Sequence, residues 1–315
     1  MMKNRVIKEA QSHQEERTIT VDGHILSLTN QNKIYFPDDR ITKGQIIDYY
    51  DVMYLWMRPY LQDRPQSLLR HPNGIADKGF FHKDAGEEAP SWVKTIQIYS
   101  KSNDKIIDYI VCNNKATLLY LNNLGCIEIN PWFSRIQHLD NPDFFVIDID
   151  PSPQNTFDQV VDAALAVKEV LDKAGAYGYC KTSGATGLHV FVPLGACYTY
   201  DEVKDFSHMI ATLAQELLPD TTSVERTLNK RKNKIYMDFL QNRKSQTLAC
   251  AYSVRPRAGA PVSTPLKWSE VKHGLHPSQF TIKNIQKRLA KIGDLFLPVV
   301  GKGINVRTCL KNLGI

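Results

Sequence analysis

The chain has 315 residues, 43% of them hydrophobic and 23% charged, and carries a formal net charge of +6. That balance excludes a disordered polymer, and no apolar run approaches the roughly 18 residues a membrane span requires. The mild positive excess suits a polyanionic partner without identifying one.

Residues 1–17 read as a polar lead-in that lacks the apolar segment of a signal peptide. Thr18 to Leu28 alternates apolar and polar residues about Asp22-Gly23, a two-residue hairpin signal. Thr42 to Tyr60 reads as a helix, with Thr42 and Gln45 placed as a capping box and Pro59 marking the end. Gln66 to Arg70, Lys78 to Lys83, Val93 to Tyr99 and Ile106 to Val111 read as strands of one mixed sheet, and Lys115 to Leu124 as a helix closed by Gly125. Six cysteines, Cys112, Cys126, Cys180, Cys197, Cys250 and Cys309, form no CxxC pair, so no zinc site is expected and a reducing compartment fits.

The second half has a clearer rhythm. Phe144 to Asp150, Tyr177 to Lys181, Leu188 to Pro193, Lys234 to Leu240 and Thr247 to Val254 read as strands. Phe157 to Ala174, Tyr200 to Leu218, Trp268 to His273 and Ile282 to Ile292 read as helices. The whole is an α+β chain, one composite domain over 18–315 whose halves, 18–135 and 136–315, share a cleft.

Phe144-Phe145-Val146-Ile147-Asp148-Ile149-Asp150 is the strongest local signal. Residues two apart on a strand point the same way, so Asp148 and Asp150 project together. Two such carboxylates repel unless a proton or a hard divalent cation lies between them. A DxD pair after a strand is also a common turn. The third acid, Asp238, ends another apolar strand and favours a two-cation phosphoryl-transfer site. Lys181-Thr182-Ser183-Gly184-Ala185-Thr186-Gly187-Leu188-His189 joins two strands. Its glycines permit an anion-binding turn, though such a loop is often only a turn. It is neither a Walker A loop nor a dinucleotide fingerprint, since it leads into a strand without Gly-Lys-Ser/Thr. Arg255 and Arg257 flank Pro256 and offer guanidinium forks for phosphate, against the bland reading of a solvated pair.

Taken in order, LTNQNKIYFPDDRITKGQIIDYY, LLRHPNGIADKGFFHKDA, DFFVIDIDPSP, KTSGATGLHVFVPL, ERTLNKRKNKIYMDFLQN and SVRPRAGAPVSTPLKW resemble the signature segments of the polymerase domain of bacterial and archaeal DNA ligase D, a branch of the archaeo-eukaryotic primase superfamily. The resemblance runs from about Leu28 to Trp268. It implies an archaeo-eukaryotic primase-like fold: two mixed or antiparallel β-sheet subdomains flanked by helices, with the active site in the cleft between them. It implies a DNA polymerase that fills gaps and extends 3′ ends in non-homologous end joining, with two divalent cations, Mn²⁺ or Mg²⁺, and with ribonucleotides accepted beside deoxynucleotides.

The resemblance also assigns residues. Asp148, Asp150 and Asp238 match catalytic, metal-binding acids. Ser183 and His189 match residues that hold the triphosphate, and Arg255 and Arg257 further contacts at the nucleotide site; Lys181 and Gly184 are expected there from the loop itself, as its cation and its turn residue. Lys33 and Lys43, with Asn30 nearby, match the pair that recognises a 5′-phosphate at a gap or broken end, and Phe80 and Phe81 the aromatic position that stacks on bases; Arg70 and Lys83 are expected beside them as DNA-binding cations. Arg231 matches a loop arginine at the primer terminus. Gln241 stands where a further basic residue is expected. NTP or dNTP, Ku and a separate or fused ligase are the implied partners, in the cytoplasm beside the nucleoid and away from membranes. Neither a Lys-x-Asp-Gly adenylation motif nor a His/Asp-rich phosphoesterase segment is present, so ligase activity is not expected and the chain reads as a stand-alone polymerase or a piece of a larger ligase D. Three alternatives stay open: a primase that starts chains de novo, a DNA-end-bridging module, and a metal-dependent nuclease.

Overall fold

A computed structural model describes residues 15–86, 89–100 and 104–315; most of the lead-in, residues 1–14, lies outside them. Strands β1 (Arg17–Val21) and β2 (His24–Leu28) form the opening hairpin. Asp22 and Gly23 both take positive φ there, 50° and 80°, as a primed two-residue turn demands. Strands β3 (Ile34–Phe36) and β4 (Ile41–Thr42) make a short ladder that delivers the chain into helix α1 (Lys43–Leu61). Thr42 and Gln45 cap that helix reciprocally, and Pro59 lies in its last turns.

Strands β5 (Gln66–Arg70), β6 (Phe80–His82), β7 (Thr95–Ser100) and β8 (Lys105–Ile110) follow, then helix α2 (Lys115–Asn123) and strand β9 (Cys126–Pro131). The first four of these strands do not form the single mixed sheet expected. β9 takes the free edge of β5, giving an antiparallel sheet ordered β6-β5-β9, while β7 and β8 pair only with each other.

The second half is strand β10 (Phe144–Asp150), helix α3 (Phe157–Ala174), strands β11 (Tyr179–Thr182) and β12 (Leu188–Pro193), helix α4 (Tyr200–Leu217), strand β13 (Thr222–Ser223), the short helix α5 (Leu228–Arg231), strand β14 (Ile235–Asp238), and helices α6 (Ile285–Ile292) and α7 (Val306–Leu313). Its five strands form one sheet ordered β11-β12-β10-β14-β13, antiparallel except for the β13–β14 pair.

Three expected elements change. The strand read through Leu240 stops at Asp238, because Asp238 Oδ1 accepts the Leu240 N–H at 2.7 Å and turns the chain. The ladder is continued by a side chain instead: Asn242, fully buried, accepts from Val146 N at 2.8 Å and donates to Val146 O at 2.7 Å. Thr247 to Val254 is not a strand. Tyr252 takes a φ of 69°, which breaks an extended run, and the amides of Cys250 and Tyr252 bond to Ile129 O and Ser263 O on different segments. Trp268 to His273 contributes a single 3₁₀ turn, Trp268–Glu270.

The core explains which way the sheet faces. Phe145, Ile147 and Ile149 of β10, with Leu188, Val190 and Val192 of β12, pack against α3 and α4 in one apolar cluster. Each fully buried side chain of this size contributes about 1.5–3 kcal/mol. A one-residue register slip would turn all of them to the wrong side, so the register is firmly held. The alternate residues, Phe144, Val146 and Phe191, join a second cluster built from α1, α2, β9 and the segment from Cys250 to Val299. The sheet thus lies between its own helices and the first half of the chain.

Candidate functional site

Asp148 and Asp150 occupy the face of β10 opposite Ile147 and Ile149, toward the first half of the molecule. The register then assembles the site. Asp148 lies directly across from Asp238 on β14 and from His189 on β12, and His189 lies across from Lys181 on β11. Lys181, His189, Asp148 and Asp238 are therefore one row across four strands, on one face. Directly opposite residues on neighbouring antiparallel strands have Cβ atoms about 4.5–5.5 Å apart. The acids expected from separate stretches of sequence meet here.

Their electrostatics bear out the crowding. Burial raises the Asp148 carboxyl above its ordinary range, opposed by Lys181 and Arg255. Asp150, at the exposed end of β10, is raised first by Asp148 and then by burial and Asp238. Burial and Asp148 raise Asp238 as well. Buried Asp148 keeps one oxygen, Oδ1, without a hydrogen bond; His189 Nε2 lies 3.2 Å from it, outside hydrogen-bond geometry. Clustered carboxylates with an unsatisfied oxygen are an oxygen donor set of the kind hard divalent cations prefer. The residues fit such an ion, although among the described residues no three acidic, His or Cys side chains already stand in a metal-holding arrangement.

The glycine loop closes one side. A Cβ on Gly187 would come within 2.2 Å of Ile149 O, so only glycine lets the loop lie against the acid-bearing strand. Gly184 takes a φ of 73°, and a Cβ there would meet Arg255 Cγ at 2.6 Å. The loop differs from an open anion-binding turn in one respect: the amides of Ala185 and Gly187 donate inward to buried Ser183 Oγ, both at 3.0 Å. Arg255 donates from Nη1 to Ser183 O and from Nε to Glu128 Oε2 at 2.8 Å. Arg257 lies exposed beyond Pro256, so of the two arginines only Arg255 joins the cluster. Glu128 was not anticipated. Its signal was present, since a lone carboxylate inside the run Cys126–Pro131 needs a cation when buried.

Lys181 has a different place from the one expected. It is fully buried, and its Nζ lies 2.6 Å from Ser263 Oγ, 3.0 Å from Ala249 O and 2.8 Å from His189 Nδ1. Burial and Arg255 push its ammonium down from the ordinary lysine range. Burial, with Lys181 and Arg255, holds His189 neutral. Arg231 lies at the margin, its guanidinium 4.0 Å from the Tyr236 ring centroid, with Tyr236 across from Asp150. Gln241 is half-buried and its Oε1 has no partner.

A second group forms on the first half. A turn at Asn30, with φ of 54°, brings Lys33 N to Asn30 O, and Lys43 N donates to Lys33 O at 2.8 Å, so the two lysines lie side by side. Lys33 Nζ donates to Asn73 Oδ1 at 2.5 Å; Lys43 Nζ, buried, donates to Thr29 O at 2.7 Å and Asn123 Oδ1 at 2.9 Å. Among the described residues neither ammonium pairs with a carboxylate. Burial, then Lys33, lowers Lys43 to about 8. Arg70 donates to Leu124 O and lies under the exposed Phe80 ring, 5.4 Å from its centroid, with Phe81 and Lys83 exposed alongside.

Residues 42–296 match the model of the LigD primase-polymerase domain. The bifunctional non-homologous end joining protein LigD of Bacillus subtilis (strain 168) is 33% identical over 272 residues, covering 86% of this chain and 43% of that protein. The multifunctional non-homologous end joining protein LigD of Pseudomonas aeruginosa is 31% identical over 269 residues, covering 85% and 32%. This chain therefore spans less than half the length of these relatives. The polymerase domain of Mycobacterium tuberculosis ligase D, solved in complex with DNA, superposes with a TM-score of 0.81 at 25% identity, over 89% of this chain and 99% of that one.

Proposed function

The chain belongs to the LigD primase-polymerase family, and on that premise we propose that it is a template-directed nucleotidyltransferase that fills gaps and extends 3′ ends during double-strand break repair by non-homologous end joining. The observation that carries this reading is the cross-strand row that sets Asp238 opposite Asp148, with Asp150 beside them and His189 on the other flank. The non-homologous end joining relatives and the DNA complex of a fellow polymerase domain supply the substrate class. The chain works in the cytoplasm on DNA of the nucleoid, with Ku and a separate or fused ligase as partners; no helix among the described residues is long and apolar enough to cross a membrane.

Asp148, Asp150 and Asp238 would hold two divalent cations, Mn²⁺ or Mg²⁺, which when bound lower the pKa of the primer 3′-hydroxyl and offset the charge of the triphosphate. The rest of the site positions and neutralises. Ser183, His189 and Arg255 bind the triphosphate of an NTP or dNTP, and Glu128 holds Arg255 in place. Gly187 lets that loop approach the acids. The primer 3′-hydroxyl gives its proton to solvent, its oxygen bonds to the α-phosphorus, and the α–β phosphoanhydride bond breaks to release pyrophosphate. Arg231 borders the primer end. Lys33 and Lys43, with Asn30 and Arg70, take the 5′-phosphate on the far side of the gap, and Phe80 and Phe81 offer stacking faces to unpaired bases, at about 1–3 kcal/mol per base.

The test is single-nucleotide incorporation with Mn²⁺ at a 5′-phosphorylated gap, comparing NTP with dNTP. Asp148→Ala, folded by circular dichroism, is expected to lose activity on the order of 10³-fold or more, the upper range for removing one electrostatic stabiliser, even a neutral donor, from a reaction centre. Undiminished incorporation by that variant would sink the reading.

A further inference from the structure

Lys181 is buried beneath the site with every proton-donating direction of its Nζ met by a neighbour. Those neighbours fix more than the lysine. Ala249 O can only accept. Ser263 Oγ already donates its proton to Thr182 O at 2.9 Å, so it too must accept from Nζ. The third contact, His189 Nδ1 at 2.8 Å, decides the state of the imidazole. A donating ammonium makes Nδ1 the acceptor and leaves the ring proton on Nε2. The opposite arrangement, a neutral amine accepting from Nδ1–H, would leave Nε2 bare 3.2 Å from Asp148 Oδ1, two electron-rich atoms with no proton between them.

We propose that Lys181 is a positioning residue that fixes His189 as the Nε2–H tautomer, so that the imidazole presents a donor to the cleft. The Nε2–H is not committed to Asp148, whose Oδ1 has no hydrogen bond. A phosphate oxygen needs such a donor, whereas a bare Nε2 would repel it. The benefit to nucleotide binding rests on His189 contacting the triphosphate, as proposed above; the tautomer assignment does not. The strand register supports the pairing, since Lys181 and His189 are direct cross-strand partners and their side chains share one face.

Two measurements test this on the full chain. In ¹⁵N-histidine NMR of the wild type, with the His189 signals identified by their loss in His189→Asn, Nε2 is expected to carry the proton and Nδ1 to be an unprotonated acceptor. A proton on Nδ1 overturns the proposal. In incorporation kinetics with Mn²⁺, Lys181→Met is expected to raise the nucleotide KM roughly 10-fold, the scale on which loss of a group orienting a functional imidazole is felt. In a His189→Ala background the same change should add nothing. An equal increase in both backgrounds would show that Lys181 acts independently of His189 and would also overturn the proposal. If His189→Ala itself leaves KM unchanged, the triphosphate reading falls instead, and the NMR result still decides the tautomer.

Discussion

The acid row of the second half and the lysine pair of the first are mirror images in charge and opposites in construction. At the row, carboxylates crowd together and are raised; at the pair, two lysines are joined through their backbones and Lys43 is lowered by burial, then by Lys33. Among the described residues the lysine pair meets no carboxylate, and Lys181 and Arg255 only partly offset the crowding of the acids. Each site would obtain its remaining counter-charge from what it binds, cations at the acids and a phosphate at the lysines. The fold holds them differently. The acids stand on regular strands locked by Phe145, Ile147 and Ile149, while Lys33 lies in a turn and Lys43 at the start of α1, joined by one backbone hydrogen bond. Rigid placement suits a reaction centre, where misplacement by about 1 Å costs rate; the grip proposed for a terminal 5′-phosphate tolerates more.

That contrast is open to attack from the lysine side first. Lys33→Ala or Lys43→Ala is expected to weaken binding to gapped DNA with a 5′-phosphate roughly 10-fold, the value of a hydrogen bond to a charged group. The loss on the same DNA with a 5′-hydroxyl should be smaller. Equal losses on both, read by fluorescence anisotropy at fixed salt, would make the pair a general cationic surface and end the comparison.

A smaller effect sharpens it from the acid side. The folded-state pKa of Asp150 is raised above its unfolded value, so ionising it costs the native state stability. The cost is absent at low pH and grows as pH rises through the carboxylate range from roughly pH 4. In EDTA, Asp150→Asn should therefore match wild type in acid and exceed its Tm by about 2 °C near neutrality. A variant less stable than wild type at neutral pH would show that the repulsion is relieved within the protein itself.

The same contrast explains what the sequence disclosed. The strand of Asp148 and Asp150 was legible because its period of two and its apolar residues leave one choice of face. The span of α3 was legible from its helical periodicity and from Gly175, which ends it with a φ of 71°; the capping box of Thr156 and Gln159 was there to be read as well. The register that sets Asp238 opposite Asp148 was not, because no local signal records which strands neighbour each other. The Thr247 to Val254 segment misled for a related reason: its apolar run reads as a strand, but Tyr252 turns it and its amides bond to separate segments. Lys181 misled most. A lysine beside a glycine loop suggests a phosphate contact, and only tertiary burial reveals that its three hydrogen bonds run inward.

The account depends most on Asp148, Asp150 and Asp238 acting together as a cation site, and calorimetric titration of Mn²⁺ into the nucleotide-free protein tests that directly. Wild type should show saturable binding, and Asp238→Asn, from a different strand than the other two acids, should lose most of it. Binding of equal strength in that variant would contradict the shared site.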